Sequence, residues 1–147
     1  LITCSILGTI AETHKVHFTN KCGSGIPMLI QGPNVLPRGP DFTANGPLKS
    51  AIAFFRSSNC SHDFNFIGKC GFDSDGYTLV ELALINPDAA TPGSLSTADI
   101  SLIPPRAFPQ PTSFRYVGNA TYPGSAGNDA NCPAALRKPE DTQVQVA

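Results

Sequence analysis

The chain has no tryptophan and a single methionine, and charged residues make up only 14% of its 147 positions. Ten basic and eleven acidic residues leave a formal net charge of −1, with no block of like charge. That balance argues against a nucleic-acid groove or a patch for anionic membranes. Without tryptophan one common stacking platform for sugars is missing, although three tyrosines and nine phenylalanines remain. The ligand spacings of a metal centre are also absent. His14 and His17 are three apart, which on a strand sends them to opposite faces. Cys60, His62, Asp63 and Cys70 include no Cys-x-x-Cys pair. Asp73-Ser74-Asp75-Gly76 lacks the third ligand of a calcium loop and reads as a solvated turn. No Gly-x-Ser-x-Gly elbow and no phosphate-cradling glycine loop occur. No metal and no cofactor are expected.

What is plentiful is glycine and proline, 13 and 14 residues respectively. Such punctuation breaks helices and favours short strands joined by turns. Strands are expected at 15–20, 27–31, 48–56, 78–84, 99–103, 113–117 and 142–146, where runs are short and several alternate or carry β-branched and aromatic residues. Turn clusters separate them, among them Gly32-Pro33-Asn34, Asn45-Gly46-Pro47 and Pro92-Gly93-Ser94. The pattern indicates an all-β, antiparallel β-sandwich in a single domain, 12–147. The stretch 51–55 is apolar without alternation and reads as a central strand buried on both faces. Residues 134–138 suit one short turn of helix, and 108–131 reads as a long loop rich in Pro, Gly, Ser, Asn and Thr.

The first eleven residues, LITCSILGTIA, are apolar, uncharged and too short to span a bilayer. They read as the remnant of a signal peptide, with Gly8, Thr9 and Ala11 as the cleavage region and the mature chain starting near Glu12. The alternative is an ordinary first strand. Asn59-Cys60-Ser61 and Asn119-Ala120-Thr121 are glycosylation acceptors that fit a secretory route, with Asn59 compromised if Cys60 is bridged. The rival is a cytosolic protein with buried thiols.

One carboxylate stands out. Glu81 lies inside the apolar run Tyr77-Thr78-Leu79-Val80-Glu81-Leu82-Ala83-Leu84, on the face of Leu79 and Ala83. There it must meet water, a partner or a wet cleft.

Several ordered segments resemble the thaumatin-like family. Phe18-Thr19-Asn20-Lys21-Cys22 is similar to its opening strand and first cysteine. Ala53-Phe54-Phe55-Arg56, followed by Cys60, is similar to its strand with an arginine before a cysteine. Thr78-Leu79-Val80-Glu81-Leu82 resembles its Thr-Leu-x-Glu-Phe motif, Asp99-Ile100-Ser101-Leu102 its Asp-x-Ser-Leu strand, and Cys132-Pro133-Ala134-Ala135 its late Cys-Pro-x-Ala stretch. The wording is closest to small secreted members from mushroom-type fungi.

The resemblance implies a thaumatin-like core without the cysteine-rich helical domain, and an open groove suited to polymeric glycans. It implies an acidic cleft in which Arg56 is the arginine, Glu81 the glutamate and Asp99 the first aspartate, with Glu140 or Asp141 as the last. The position five after Asp99, where a second aspartate is expected, holds Pro104. Carboxylates hydrogen-bond vicinal sugar hydroxyls, and an arginine orients them. Hydrolysis would use Glu81 as acid with Asp99 or Asp141 as base or nucleophile. The function implied is β-1,3-glucan or other cell-wall glycan binding by a secreted monomer, in defence, antifungal action or wall remodelling. A weak endo-β-1,3-glucanase and a non-catalytic structural or interaction protein of the fruiting body are the alternatives.

The resemblance also implies a local Cys60–Cys70 disulfide, worth roughly 2–3 kcal/mol for a loop of that size. It pairs Cys22 with a cysteine just beyond Ala147, leaves Cys132 without an evident partner, and lets Cys4 depart with the signal. Intact mass of the native protein checks the Cys22 pairing: a chain extending past Ala147 to a cysteine is expected, and one ending at Ala147 contradicts it.

Overall fold

The computed structural model describes residues 12–21, 23–37, 39–56, 77–87, 93–118 and 124–147. The expected leader segment, Cys22, the expected Cys60–Cys70 bridge and the expected acceptors Asn59 and Asn119 lie outside the described residues.

The described chain is all-β, with eleven strands: β1 Thr13–His17, β2 Ile26–Gln31, β3 Asn34–Val35, β4 Asp41–Asn45, β5 Leu48–Arg56, β6 Leu79–Leu84, β7 Thr97–Ser101, β8 Thr112–Arg115, β9 Gly124–Gly127, β10 Ala135–Leu136 and β11 Gln145–Val146. The main sheet runs β10-β7-β6-β5-β2-β3, and β11 also pairs with β7. Two ribbons, β1-β4 and β8-β9, stand apart from it. Among the described residues every pairing is antiparallel except β10 with β7, which is parallel.

The middle of the sheet follows from composition. β5 lies between β2 and β6 and has no free edge, and its Ala51–Phe55 stretch fills both sides. On one face Ala51 and Ala53 join Leu29, Leu48, Leu82 and Ala98. Val16, Phe42 and Ala44 of the β1-β4 ribbon and Phe114 at the β8-β9 ribbon pack on that cluster, which makes the second layer of the sandwich. On the other face Phe54 joins Met28, Ile30, Tyr77 and Leu79. Leu48 and Ala51 are three apart, an odd spacing that should split them between faces. A bulge resolves this. Leu48 pairs with Leu84 but Ala51 with Leu82, so β5 carries one extra residue, and Ser50 takes φ 52° to absorb it.

The expected strand at 48–56 is present with those bounds, and those near 27–31 and 78–84 shift by one residue at the start. The others are displaced or shortened. Three elements differ in kind. Residues 134–138 form no helical turn, because Ala135 and Leu136 pair with Ile100 and Ser101 and bury themselves against β7. The 108–131 stretch carries two paired strands, β8 and β9, where a loop was expected. Gly124 permits that pairing, since a Cβ there would stand 2.6 Å from the Phe114 carbonyl. β4, which carries a single large apolar residue, Phe42, went unassigned in the sequence because it is half-buried and built on turn-like residues.

Cys132 is a buried free thiol that packs with Ile100, Leu102 and Ala135 and donates to the Ala126 carbonyl at 3.1 Å.

Leu79 is fully buried at the sheet centre. Leu79→Ala is expected to lower unfolding free energy in a urea titration by about 2–5 kcal/mol. Val117→Ala, at an exposed position, should stay within about 0.5 kcal/mol of wild type.

Candidate functional site

Glu81 and Asp99 are register partners across β6 and β7. Alternation puts both on the face of Leu79 and Ile52, opposite the ribbon-covered core. Side chains so paired have Cβ atoms about 4.5–5.5 Å apart, and two like charges there repel. The repulsion has a local answer. After β7 the chain turns at Pro104-Pro105, closed by the Arg106 N–H donating to the Ile103 carbonyl at 3.1 Å. The turn carries Arg106 back over the sheet. Its Nη1 donates to the Ile103 carbonyl at 3.2 Å, and its Nη2 lies 3.5 Å from Glu81 Oε1.

Asp99 is held high, at a pKa of about 6. Burial is the larger cause and the Glu81 charge adds to it, while Arg106 pulls the other way. Asp99 is thus a carboxyl that holds a proton up to near-neutral pH. The Tyr116 hydroxyl is pushed up to about 12 by burial and by the Asp99 charge, and it donates to the Gln145 carbonyl at 3.1 Å. Asp99 also sits at a break in the sheet: β11 covers Thr97 and Ala98, and β10 covers Ile100 and Ser101.

Arg56, the last residue of β5, shares the face of Ile52 and Phe54, and so that of Glu81 and Asp99. Its backbone lies four residues along from Ile52, the neighbour of Glu81, or about 13 Å. Four buried polar atoms lack a hydrogen-bond partner among the described residues: Arg56 Nε at the end of β5, Asp99 Oδ1 and Ser101 Oγ on β7, and Arg106 Nε in the turn after it. Buried polar groups are normally paired, so orphans of this kind are places where a buried water is expected.

The fold therefore brings Glu81 and Asp99 together and puts Arg56 on their face, while the ion pair to Glu81 comes from Arg106. Asp141 has another occupation. Its Oδ2 accepts from the backbone N–H of Arg137 at 2.8 Å and of Lys138 at 3.1 Å, and these bonds hold its carboxyl below the usual range. Glu140 is exposed in the same turn. Arg106 was not singled out in the sequence, although the Pro-Pro-Arg turn after an Asp-x-Ser-Leu strand is a legible sign. A proline pair reverses the chain, and the next side chain returns over the strand. Where the family is expected to hold a second aspartate this chain has Pro104, and two residues later it has an arginine. Among the described residues one guanidinium, that of Arg106, meets the carboxyl pair at Glu81, and Arg56 shares the face at the far end of β5. Among the described residues no group of three or more His, Cys, Asp or Glu is placed to hold a metal.

Comparison of the chain with protein-family models, curated proteins and solved structures finds no match.

The raised Asp99 pKa fixes a pH dependence. The folded state binds this proton more tightly than the unfolded chain, so the group's contribution falls as pH rises from about 4 to about 6, then levels off. Asp99→Asn removes the burden of the buried charge. At pH 7 the variant is expected to be more stable than wild type by roughly 1–3 kcal/mol, after allowance for solvent screening. The gap should close toward pH 4 in urea titrations across pH, and a gap independent of pH would contradict the assignment.

Proposed function

We propose that this is a secreted, non-catalytic carbohydrate-binding protein of thaumatin-like type, acting on a cell-wall glycan in defence, antifungal action or wall remodelling. β-1,3-glucan is the first polymer to test. The observation that carries the reading is the register pair Glu81 and Asp99 on one sheet face, with Arg106 paired to Glu81. Mixed donors and acceptors on a rigid sheet suit sugar hydroxyls, which both donate and accept. The resemblance of the Arg56, Glu81 and Asp99 segments to the family's cleft supports the same face.

A glycosidase reading has one observation in its favour, a proton near pH 6 on Asp99 beside a second carboxylate. The geometry weighs against it. Glycosidase carboxyls flank the scissile bond, whereas Glu81 and Asp99 stand side by side on one wall. Asp141, the other base or nucleophile candidate, is tied into its turn.

Incubation with insoluble β-1,3-glucan, assaying retained protein and released reducing sugar, tests the reading. Wild type is expected to be retained without releasing sugar, and Glu81→Gln to be retained at least about fivefold less, the loss of one charge-assisted bond. Sugar release abolished by Glu81→Gln would make the protein an enzyme. Absence of retention on this and other wall glycans would favour a structural protein.

A further inference from the structure

Asn45 and Gly46 are the single Asn-Gly pair of the chain. They lie where the β1-β4 ribbon hands over to the main sheet. Asn45 ends β4, and only Gly46 and Pro47 separate it from the buried Leu48 that opens β5. Asn45 is exposed, on the outward side of the ribbon with Lys15 and Asp41. Among the described residues no hydrogen bond ties down its side-chain amide. The last rung of the ribbon pairs Asn45 with Thr13, so Gly46 stands past that rung. Gly46 has φ 128°, which side chains rarely allow, and a Cβ built on it would meet nothing within 4 Å.

These features suit one reaction. The side-chain amide carbon of an asparagine is open to attack by the backbone nitrogen of the next residue, and a glycine there sets no side chain in the way. The Gly46 nitrogen bonds to Asn45 Cγ, the amide group leaves as ammonia with the proton that this nitrogen gives up, and a cyclic succinimide results. Water then opens the ring. Breaking the new bond gives aspartate. Breaking the original peptide bond gives isoaspartate, whose main chain runs through Cγ and is longer by one methylene. The only co-reactant is water. We propose that Asn45 is a site of spontaneous deamidation, a one-way change that puts a carboxylate on the ribbon and, in the isoaspartyl product, loosens the strap between the two layers. Either product adds one negative charge to a chain of net charge −1. Lys15, paired with Asp41 at 3.5 Å, is the ribbon cation diagonal to the new carboxylate. The aspartyl form keeps the strand geometry. The isoaspartyl form strains it, because Leu48 packs in the core directly after the strap and has little room to shift. The inference is independent of the glycan-binding reading.

The test is ageing of the full native chain in mildly alkaline buffer, followed by peptide mapping with mass spectrometry and by labelling with an isoaspartyl methyltransferase. A parallel sample is held unfolded in urea. In the native chain Asn45 is expected to lose its amide at least about tenfold faster than any other asparagine, and within about tenfold of its rate in the unfolded chain. Asn45→Gln, which must close a larger ring, should remove both the methyltransferase label and the new acidic isoform seen on anion exchange. The isoaspartyl isoform, separated from the aspartyl one, is expected to unfold at a lower urea concentration. A native rate more than about tenfold below the unfolded rate shows that the fold shields the pair, and overturns the proposal. Faster loss at another asparagine, or an acidic isoform that persists in Asn45→Gln, overturns it as well. Equal urea midpoints for the two isoforms overturn the loosening of the strap.

Discussion

The register between β6 and β7 is the constraint on which the rest depends. It seats two carboxylates at the same rung of one sheet face, where water is partly excluded. Like charges so placed are unfavourable, and the remaining features of the face answer that problem. Arg106 is brought back by the Pro104-Pro105 turn to meet Glu81, and Asp99 keeps its proton to near-neutral pH. A slip of one residue between these strands would put the two acids on opposite faces, one of them in the apolar layer beneath the ribbons.

That constraint also separates binding from hydrolysis. Two carboxyls on one wall, with a guanidinium beside them, make a rigid surface that presents donors and acceptors in fixed directions. Bond cleavage calls for groups on opposite sides of the reacting atom. Nothing in the described turn at 137–141 supplies the opposite group, because Asp141 spends its carboxylate on the backbone of that turn. Pro104 and Arg106 follow β7, and Arg106 sets a positive charge against Glu81 on this face.

The fold was legible where chemistry is local. The unalternating apolar run of β5 announced a strand buried on both faces, and the alternation around Glu81 placed that residue on the face it occupies. Elements that depend on distant partners were not legible. Ala135 and Leu136 look like helix formers and become a strand only because the β7 edge offers them hydrogen bonds. The Gly124–Gly127 strand has little β-propensity of its own and is held by its pairing with β8. The site divided in the same way. Glu81 stood out from the sequence pattern and Asp99 was joined to it by the resemblance, whereas the arginine serving Glu81 depended on which way a proline turn folds back. The position of Asp141 in sequence gave no sign of the backbone donors that engage it.

The central claim is that Glu81 and Asp99 form one coupled, ligand-facing site. The most direct measurement is a carboxyl ¹³C NMR titration of Asp99, with and without a bound glycan oligomer. The account predicts a midpoint near 6 that moves when the oligomer binds and falls in Glu81→Gln. A midpoint at about 4, the ordinary value for aspartate, unmoved by glycan or by Glu81→Gln, would contradict it.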